Sequence, residues 1–553
     1  MRFFHSLFDH VFVLPLGFVF ACALCGCNNH SSPPNSGSAT KTQPAETTEP
    51  TKIEPLPEEK PTTDPPVQTD PMPVETGPAE TPPAEESETT AKNETEYSEL
   101  FTGWDKPLFS LLVTGRQHGY IEPCGCTGLD NQKGGLNRRA SLLKQLQEDR
   151  GWNVVPVDVG NQVRRFGRQP EIKFQTTGAG LQAMDYQAVT FGPDDLRLST
   201  DEVFAGIVGD DPDDLRFISA NVSLFGATPQ FRIIEVAGKK IGITGVLGKS
   251  HHKAISNDLI EIEDPITGLT AAWAELEAAE CDLYVLLSHA TLEESREYSQ
   301  KFPGFQLIVT AGGAGEPTRQ PEEIEGTGAR MIQTGTKGMY AGVVGVYGEK
   351  QLSIRYQRIP LDARFADTDE MMQLLASYQQ QLESLSFEEL GIRPIPHPSG
   401  LQFVGSQACS ECHADEFDVW ANSPHSHATQ SLITPPERFQ VPRHFDPECL
   451  ACHVTGWDQK YYLPYESGYL NLQESPLKRA VSCENCHGPG SQHVAAEQGD
   501  EDFDETMIEQ FRKQMELPLL KARDTCLKCH DLDNSPDFHV KGAFEEYWEH
   551  IKH

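Results

Sequence analysis

Between Phe101 and Pro396, apolar residues come in short runs rich in β-branched side chains: Leu108–Thr114, Asn153–Val159, Ala188–Phe191, Phe217–Val222, Ile241–Val246, Leu283–Ser288 and Leu307–Thr310. These runs read as strands. Stretches such as Leu136–Leu146 and Leu269–Glu280 space their apolar residues at helical intervals instead. The alternation predicts an α/β domain, with a sheet between helix layers and its sites at the strand C-terminal ends. The turns after Thr114, Val159, Phe191, Ser288 and Thr310 are therefore the places to look for chemistry. Phe231–Gly248 reads as a hairpin that turns at Ala237-Gly238-Lys239-Lys240. Asp362–Leu385 carries Met371, Leu374, Leu375, Tyr378 and Leu382 on one side, as a packing helix does. Pro394, Pro396, Pro398 and Gly400 then mark a linker.

The pattern differs at both ends. Val11–Ala23 is an apolar run behind Arg2, too short to span a membrane and suited to an export signal at residues 1–27. It ends in Leu24-Cys25-Gly26-Cys27, which is similar to the bacterial lipobox and implies lipidation of Cys27. Residues 28–100 hold 14 Pro, 15 acidic residues and four Lys, with few large apolar side chains. Such a segment cannot offset its chain entropy by burial and reads as a disordered tether. From His397 to His553 regular periodicity is poor.

That last region holds four copies of Cys-x-x-Cys-His: Cys409-Cys412-His413, Cys449-Cys452-His453, Cys483-Cys486-His487 and Cys526-Cys529-His530. Two thiols at this spacing can each form a thioether to a vinyl group of one porphyrin, and the following His can ligate the iron from below. Each motif therefore reads as an attachment site for haem c, four in all. Zinc sites built from Cys pairs do not require a His after each pair, and disulfides closing three-residue loops would be strained. Eight further histidines in the region (His397, His425, His427, His444, His493, His539, His550 and His553) supply candidates for the distal ligand. About 155 residues carrying four haems would bring the macrocycles close enough for electrons to hop. Net charge is −37, which leaves no basic field for nucleic acid. Redox proteins are the expected partners, along with a membrane through the lipid anchor.

Two resemblances sharpen the picture. In motif order, Thr114-Gly115-Arg116-Gln117-His118-Gly119, Asp158-Val159-Gly160-Asn161, Gly192-Pro193-Asp194-Asp195, Ser288-His289 and Gly312-Gly313-Ala314-Gly315 resemble the metallophosphoesterase domain of the 5′-nucleotidase family. The departures matter: Arg116 stands where the family has its first Asp, Asn161 replaces the bridging Asp, Pro193-Asp194 replaces Asn-His, and both late histidines are missing. A two-metal hydrolase needs those ligands. Only His118 and His289 survive, so the resemblance implies the fold without its dinuclear site; a rearranged site on Asp158, Asp194 and Asp195 is the alternative. Cys124 and Cys126 follow the first strand; a local structural role or disulfide competes with a soft-metal or redox role. Cys281 reads as a small buried hydrophobe, and His251-His252 as an exposed loop pair.

The tail resembles the tetrahaem cytochromes that accept electrons in hydroxylamine oxidation. Gly405-Ser406-Gln407-Ala408, Trp420 with Ser423-Pro424-His425, Pro447-Glu448-Cys449, Cys483 through Ser491 to His493, and Tyr547-Trp548 through His553 carry the likeness. It implies His425, His493 and His553 as distal ligands, with His444 as a fourth candidate and His427 and His539 as competitors. It also implies that one iron can lack a protein distal ligand. Three readings follow: a membrane-tethered periplasmic or cell-surface electron carrier with a degenerate phosphoesterase-like domain (101–396) before a tetrahaem domain (397–553), a redox enzyme acting on a small nitrogen species at an open haem, and a phosphoesterase with a cytochrome appendage.

Overall fold

The structure is a computed structural model, and it describes residues 100–123, 128–208, 215–314, 316–436, 441–499 and 502–553. The export signal, Cys27, most of the tether, Cys124 and Cys126 lie outside the described residues. All described residues belong to one compact unit, 85–553, so the α/β region and the tail are packed as one body.

The α/β region holds two mixed sheets, where the sequence predicted a single one. The first contains β1 (Phe109–Thr114), β2 (Val154–Asp158) and β3 (Ala188–Val189). Further strands in chain order are β4 (Val222–Leu224), β5 (Phe231–Val236), β6 (Lys239–Leu247), β7 (Ile260–Ile262), β8 (Leu283–His289) and β9 (Leu307–Thr310). The last are β10 (Glu322–Glu323), β11 (Arg330–Gln333), β12 (Tyr340–Tyr347) and β13 (Ser353–Pro360). The first sheet runs β13-β12-β1-β2-β3 and the second β10-β11-β9-β8-β6-β5. β1, β2 and β3 are parallel, as are β6, β8, β9 and β11.

Side-chain alternation explains the layering. Phe109, Leu111 and Val113 of β1 meet Val285 and Leu287 of β8 and Leu307 and Val309 of β9 in a core between the sheets. Leu112 points the other way, into a core shared with helices Leu136–Lys144, Arg168–Ala183 and Asp369–Ser384. Leu286 and Ile308 likewise pack under helices Pro265–Ala278 and Leu292–Lys301. Both faces of the central strands are buried, so their sequence reads as continuous apolar runs. Phe217–Val222 is mostly not strand: Phe217 makes one bridge to Val189, and β4 begins only at Val222.

The tail is a set of short helices and turns with one small apolar core around Leu432, Leu450, Val454, Trp457 and Tyr469. Side-chain links tie it to the α/β region. Lys173 pairs with Glu448 at 2.7 Å, Gln169 donates to Asp446 at 2.9 Å, Arg165 lies 3.7 Å over the Tyr462 ring, and Lys337 pairs with Asp533. Among the described residues no helix is long and apolar enough to cross a membrane.

Candidate functional site

The strand ends of the α/β region are occupied by protein charge. Arg116 takes a left-handed backbone, as do His118 and Asn161, which marks local strain at these turns. The Arg116 guanidinium donates to the carbonyls of Gly313 (2.8 Å), Gly335 (3.1 Å) and Thr334. Asp158 is fully buried and accepts from Thr114 Oγ1 (2.6 Å), Gln162 Nε2 (2.7 Å) and the Gly160 amide (2.8 Å), with the buried Arg139 3.5 Å away. Gly160 can have no side chain: a Cβ there would lie 2.5 Å from the Gly192 amide. Asn161 and Asp194 bond each other, Nδ2 to Oδ2 and amide to Oδ1, both at 3.0 Å. Asp195 accepts from the amides of Asn161, Gly192 and Val163, while burial pushes its carboxyl up to about 7.

His289 is buried, and its Nδ1 lies 2.5 Å from the Val159 carbonyl, so it is a neutral donor there; burial holds its pKa down to about 3. His118 is also held down to about 3, by burial first and then by Arg116, Arg164 and Lys337. His251 is half-buried and sits 5.6 Å from the His289 ring, which corrects the expectation of an exposed pair. Cys281 is only half-buried. Among the described residues, no three His, Cys, Asp or Glu side chains converge as a metal site would require.

The tail is arranged differently. Helix Pro447–His453 places Cys452 and His453 one turn after Cys449; Asp446 caps it by accepting from the Glu448 amide at 3.0 Å, and Pro447 opens it. Helix Cys483–His487 carries the third motif on a capping box formed by Ser482 and Asn485. Its Glu484 is buried and accepts from the amides of Val404 (2.9 Å), Gly405 (2.6 Å) and Gly490 (2.9 Å), which ties the first motif's entry loop to the third motif.

Three of the four motif histidines have their Nδ1 atoms turned to the protein. His453 Nδ1 lies 2.8 Å from the Ala428 carbonyl, His487 Nδ1 2.5 Å from the Met515 carbonyl, and His530 Nδ1 3.0 Å from Ser535 Oγ. The carbonyl contacts fix the tautomer of His453 and His487 and leave Nε2 for a metal. Three motif rings also face a second imidazole: His413 and His493 at 6.3 Å between centres, His530 and His425 at 6.1 Å, and His487 and His553 at 5.7 Å. Two imidazoles on opposite sides of one metal set their ring centres roughly 6 Å apart, given metal–nitrogen bonds of about 2 Å. The residues present therefore fit bis-histidine haem.

His425 is held by the chain around it. The Val481 amide donates to its carbonyl at 3.1 Å, and Trp420 Nε1 donates to the Val481 carbonyl at 2.8 Å. His444 packs on Phe445, 5.0 Å away, and among the described residues no ring contact joins it to a motif histidine. Its place in the sequence, shortly before the second motif, gave no hint of this. His397 sits in an aromatic cluster with Phe403 and Tyr465, and His539 Nε2 lies against the His530 carbonyl.

Thiol neighbours place the motifs in an order. Cys409 lies beside Cys483, Cys452 beside Cys529, and Cys486 beside Cys526 and Cys529. In space the motifs therefore run first, third, fourth, second. The first lies at the open end, with Cys412 exposed and the His413 side chain 54% exposed. The second and fourth line a chamber of about 1290 Å³, which includes the space their haems would take. Its other wall comes from the α/β region and includes His118, Arg164, Arg165, Lys173 and Lys337. Sequence reasoning missed this wall and missed Asp446, Glu484 and Lys173. Only the Pro-Glu-Cys and Cys-Glu-Asn-Cys spellings hinted that acids flank the motifs.

Residues 408–488 match the family described as cytochrome c554 and c-prime. Cytochrome c-554 of Nitrosomonas europaea is 31% identical over 101 residues, covering 16% of this chain and 39% of that protein. An apyrase of Aedes albopictus is 18% identical over 350 residues, 56% of this chain and 59% of that protein. The chain thus spans less than two thirds of either relative. Among solved structures, a 5′-nucleotidase precursor from Thermus thermophilus shares 20% identity at a TM-score of 0.42, covering 50% of this chain and 59% of the other. The calcineurin-like phosphoesterase YfkN of Bacillus subtilis shares 16% at 0.40, covering 49% and 97%. The tail is similar to cytochrome c554, a haem c protein, and the α/β region has 5′-nucleotidase and phosphoesterase structures as neighbours.

Proposed function

We propose that this chain is a tetrahaem c-type cytochrome that passes electrons between redox partner proteins. Cys409 and Cys412, Cys449 and Cys452, Cys483 and Cys486, and Cys526 and Cys529 hold the four haem c groups, with His413, His453, His487 and His530 as proximal ligands. His493, His553 and His425 take the distal positions opposite His413, His487 and His530. The observation that carries this reading is the facing of three motif imidazoles by three others at 5.7 to 6.3 Å.

Haem c, when bound, supplies reversible one-electron chemistry at iron. The protein's part is to orient and to space. Nδ1 contacts lock the ring planes, and the attachment cysteines of successive motifs lie side by side. The exposed first motif is the docking end for a redox partner, and the second closes the series against the α/β wall.

The α/β region serves as that wall and does not hydrolyse phosphoesters, because Arg116 and the Arg139–Asp158 pair fill the strand ends with guanidinium charge. Export, lipidation at Cys27 and the proline- and acid-rich segment that follows it keep the body at a bacterial membrane, on the periplasmic or cell-surface side. Individual replacement of His425, His493 and His553 by Ala tests the ligation. Each variant converts one low-spin haem to high spin in the absorption and EPR spectra; three silent variants contradict the assignment.

Among the described residues no ring contact sets a second imidazole against His453, which favours one second reading, a redox enzyme that acts on a small nitrogen species at the iron held there. A carbon monoxide difference spectrum of the reduced protein separates the two. Full insensitivity leaves electron transfer alone, and a stoichiometric change supports an accessible iron.

A further inference from the structure

We infer that Arg164 and Arg165, backed by Lys337, form an anion receptor in the chamber between the α/β region and the tail, taking a carboxylate or other oxyanion beside the second and fourth haem attachment sites. The inference rests on the haem reading above and assigns the α/β region a part in it.

The chamber's charge is the first argument. The chain as a whole carries −37, yet six Arg and Lys residues border this chamber against four Asp and Glu. Lys173 is matched by Glu448 and Lys337 by Asp533. Among the described residues Arg164 has no acidic partner within ion-pair distance, and Arg165 lies only against the Tyr462 ring. A guanidinium stacked on an aromatic face keeps its N–H fork directed outward in its own plane, the geometry that grips carboxylates and phosphates in bidentate fashion.

Placement is the second argument. The two arginines lie in the turn after β2, three and four residues beyond Asn161, whose backbone is left-handed, and the buried Val163 that precedes them anchors the turn. Lys337, also left-handed, is tied to the same corner by its amide, which donates to the Arg116 carbonyl at 2.8 Å. These cations press on one another: burial lowers the Lys337 pKa, and Arg164 and Arg165 push it the same way, while Asp531 and Glu448 oppose them. An anion between them relieves that repulsion. Two sources share the required chemistry, a haem propionate and a free oxyanion.

Redox titration of the haem-loaded full chain, followed by absorbance, tests this. It compares the wild type with R164Q/R165Q, each with and without inorganic phosphate at constant ionic strength. With a propionate as the anion, the variant leaves that charge uncompensated, which stabilises the ferric state. At least one midpoint potential then shifts down in both buffers, and phosphate leaves the wild type unmoved. With a free oxyanion, phosphate lowers a wild-type potential saturably and the variant loses that response. Identical potentials for both proteins, with neither responding to phosphate, overturn the proposal. R164K/R165K retains charge without the fork and restores the potentials only in part. R164Q alone removes an exposed side chain and serves if the double variant does not fold. A colourless preparation signals failure of the haem reading itself, before any potential is measured.

Discussion

Replacing Asp446 by Ala should loosen the junction between the α/β region and the second motif. The Asp446 carboxylate is 4% exposed. It caps helix Pro447–His453 and accepts from Gln169 Nε2 and Gln379 Nε2, both at 2.9 Å. Loss of the cap costs about 1 kcal/mol. Gln169 keeps its bond to Tyr378 at 2.8 Å, but the buried Gln379 amide is left without its acceptor, which costs about 2 kcal/mol. Relief of desolvation and of repulsion from Glu448, the two causes that raise the Asp446 pKa, returns part of this. The expected loss for D446A is therefore about 3 kcal/mol at most. D446N keeps the shape and the cap and misplaces one donor, so it should lose about 1 kcal/mol. Guanidinium unfolding of the haem-loaded chain, followed by circular dichroism and by the Soret band, measures both. A D446A curve superimposed on the wild type, or D446N as damaged as D446A, refutes the hydrogen-bonding account.

Acidification gives a second prediction. His289 and His118 have folded pKa values of about 3, below the ordinary 6.5, so the unfolded chain binds protons that the folded chain refuses. Stability is whole above pH 6.5 and falls toward pH 3, by about 1.4 kcal/mol per pH unit for each histidine; H289Q should flatten that slope in denaturant titrations. Third, manganese or zinc added to the purified chain should neither bind at the strand ends nor produce phosphatase activity on a chromogenic phosphoester. Measurable turnover that needs Asp158 would reinstate the hydrolase reading. Fourth, replacing Glu484 by Ala removes the acceptor of two buried amides and one half-buried amide and should cost about 3 kcal/mol, seen as earlier loss of the Soret band on heating.

Much of this was legible before any coordinates. β1, β2, β6, β8 and β9 announced themselves because central strands buried on both faces must be uniformly apolar. Periodicity cannot say which sheet a strand joins, so the second sheet was invisible: β5 and β6 read as a hairpin, but nothing local shows that β6 pairs with β8. The β12–β13 hairpin does not stand out because Gly342 and Gly345 break the apolar run of β12, and Arg355, Gln357 and Arg358 interrupt that of β13. In the tail the motif spacing is a covalent requirement and stands out against any background. His425, His493 and His553 were named by resemblance, and the structure brings each against a motif ring, whereas it does not bring His444 there. The chamber had no sequence signature, since Arg165 and Tyr462, or Lys173 and Glu448, meet across some three hundred residues.

The central claim is that four porphyrins are bound through sulfur to the four Cys-x-x-Cys-His motifs. The intact mass of the mature chain, taken under denaturing conditions after expression with a cytochrome c maturation system, tests it most directly. The predicted result is the polypeptide plus four haems, falling by one when Cys449 and Cys452 are both replaced by Ala. A mass equal to the bare polypeptide, or haem that washes away on denaturation, contradicts it.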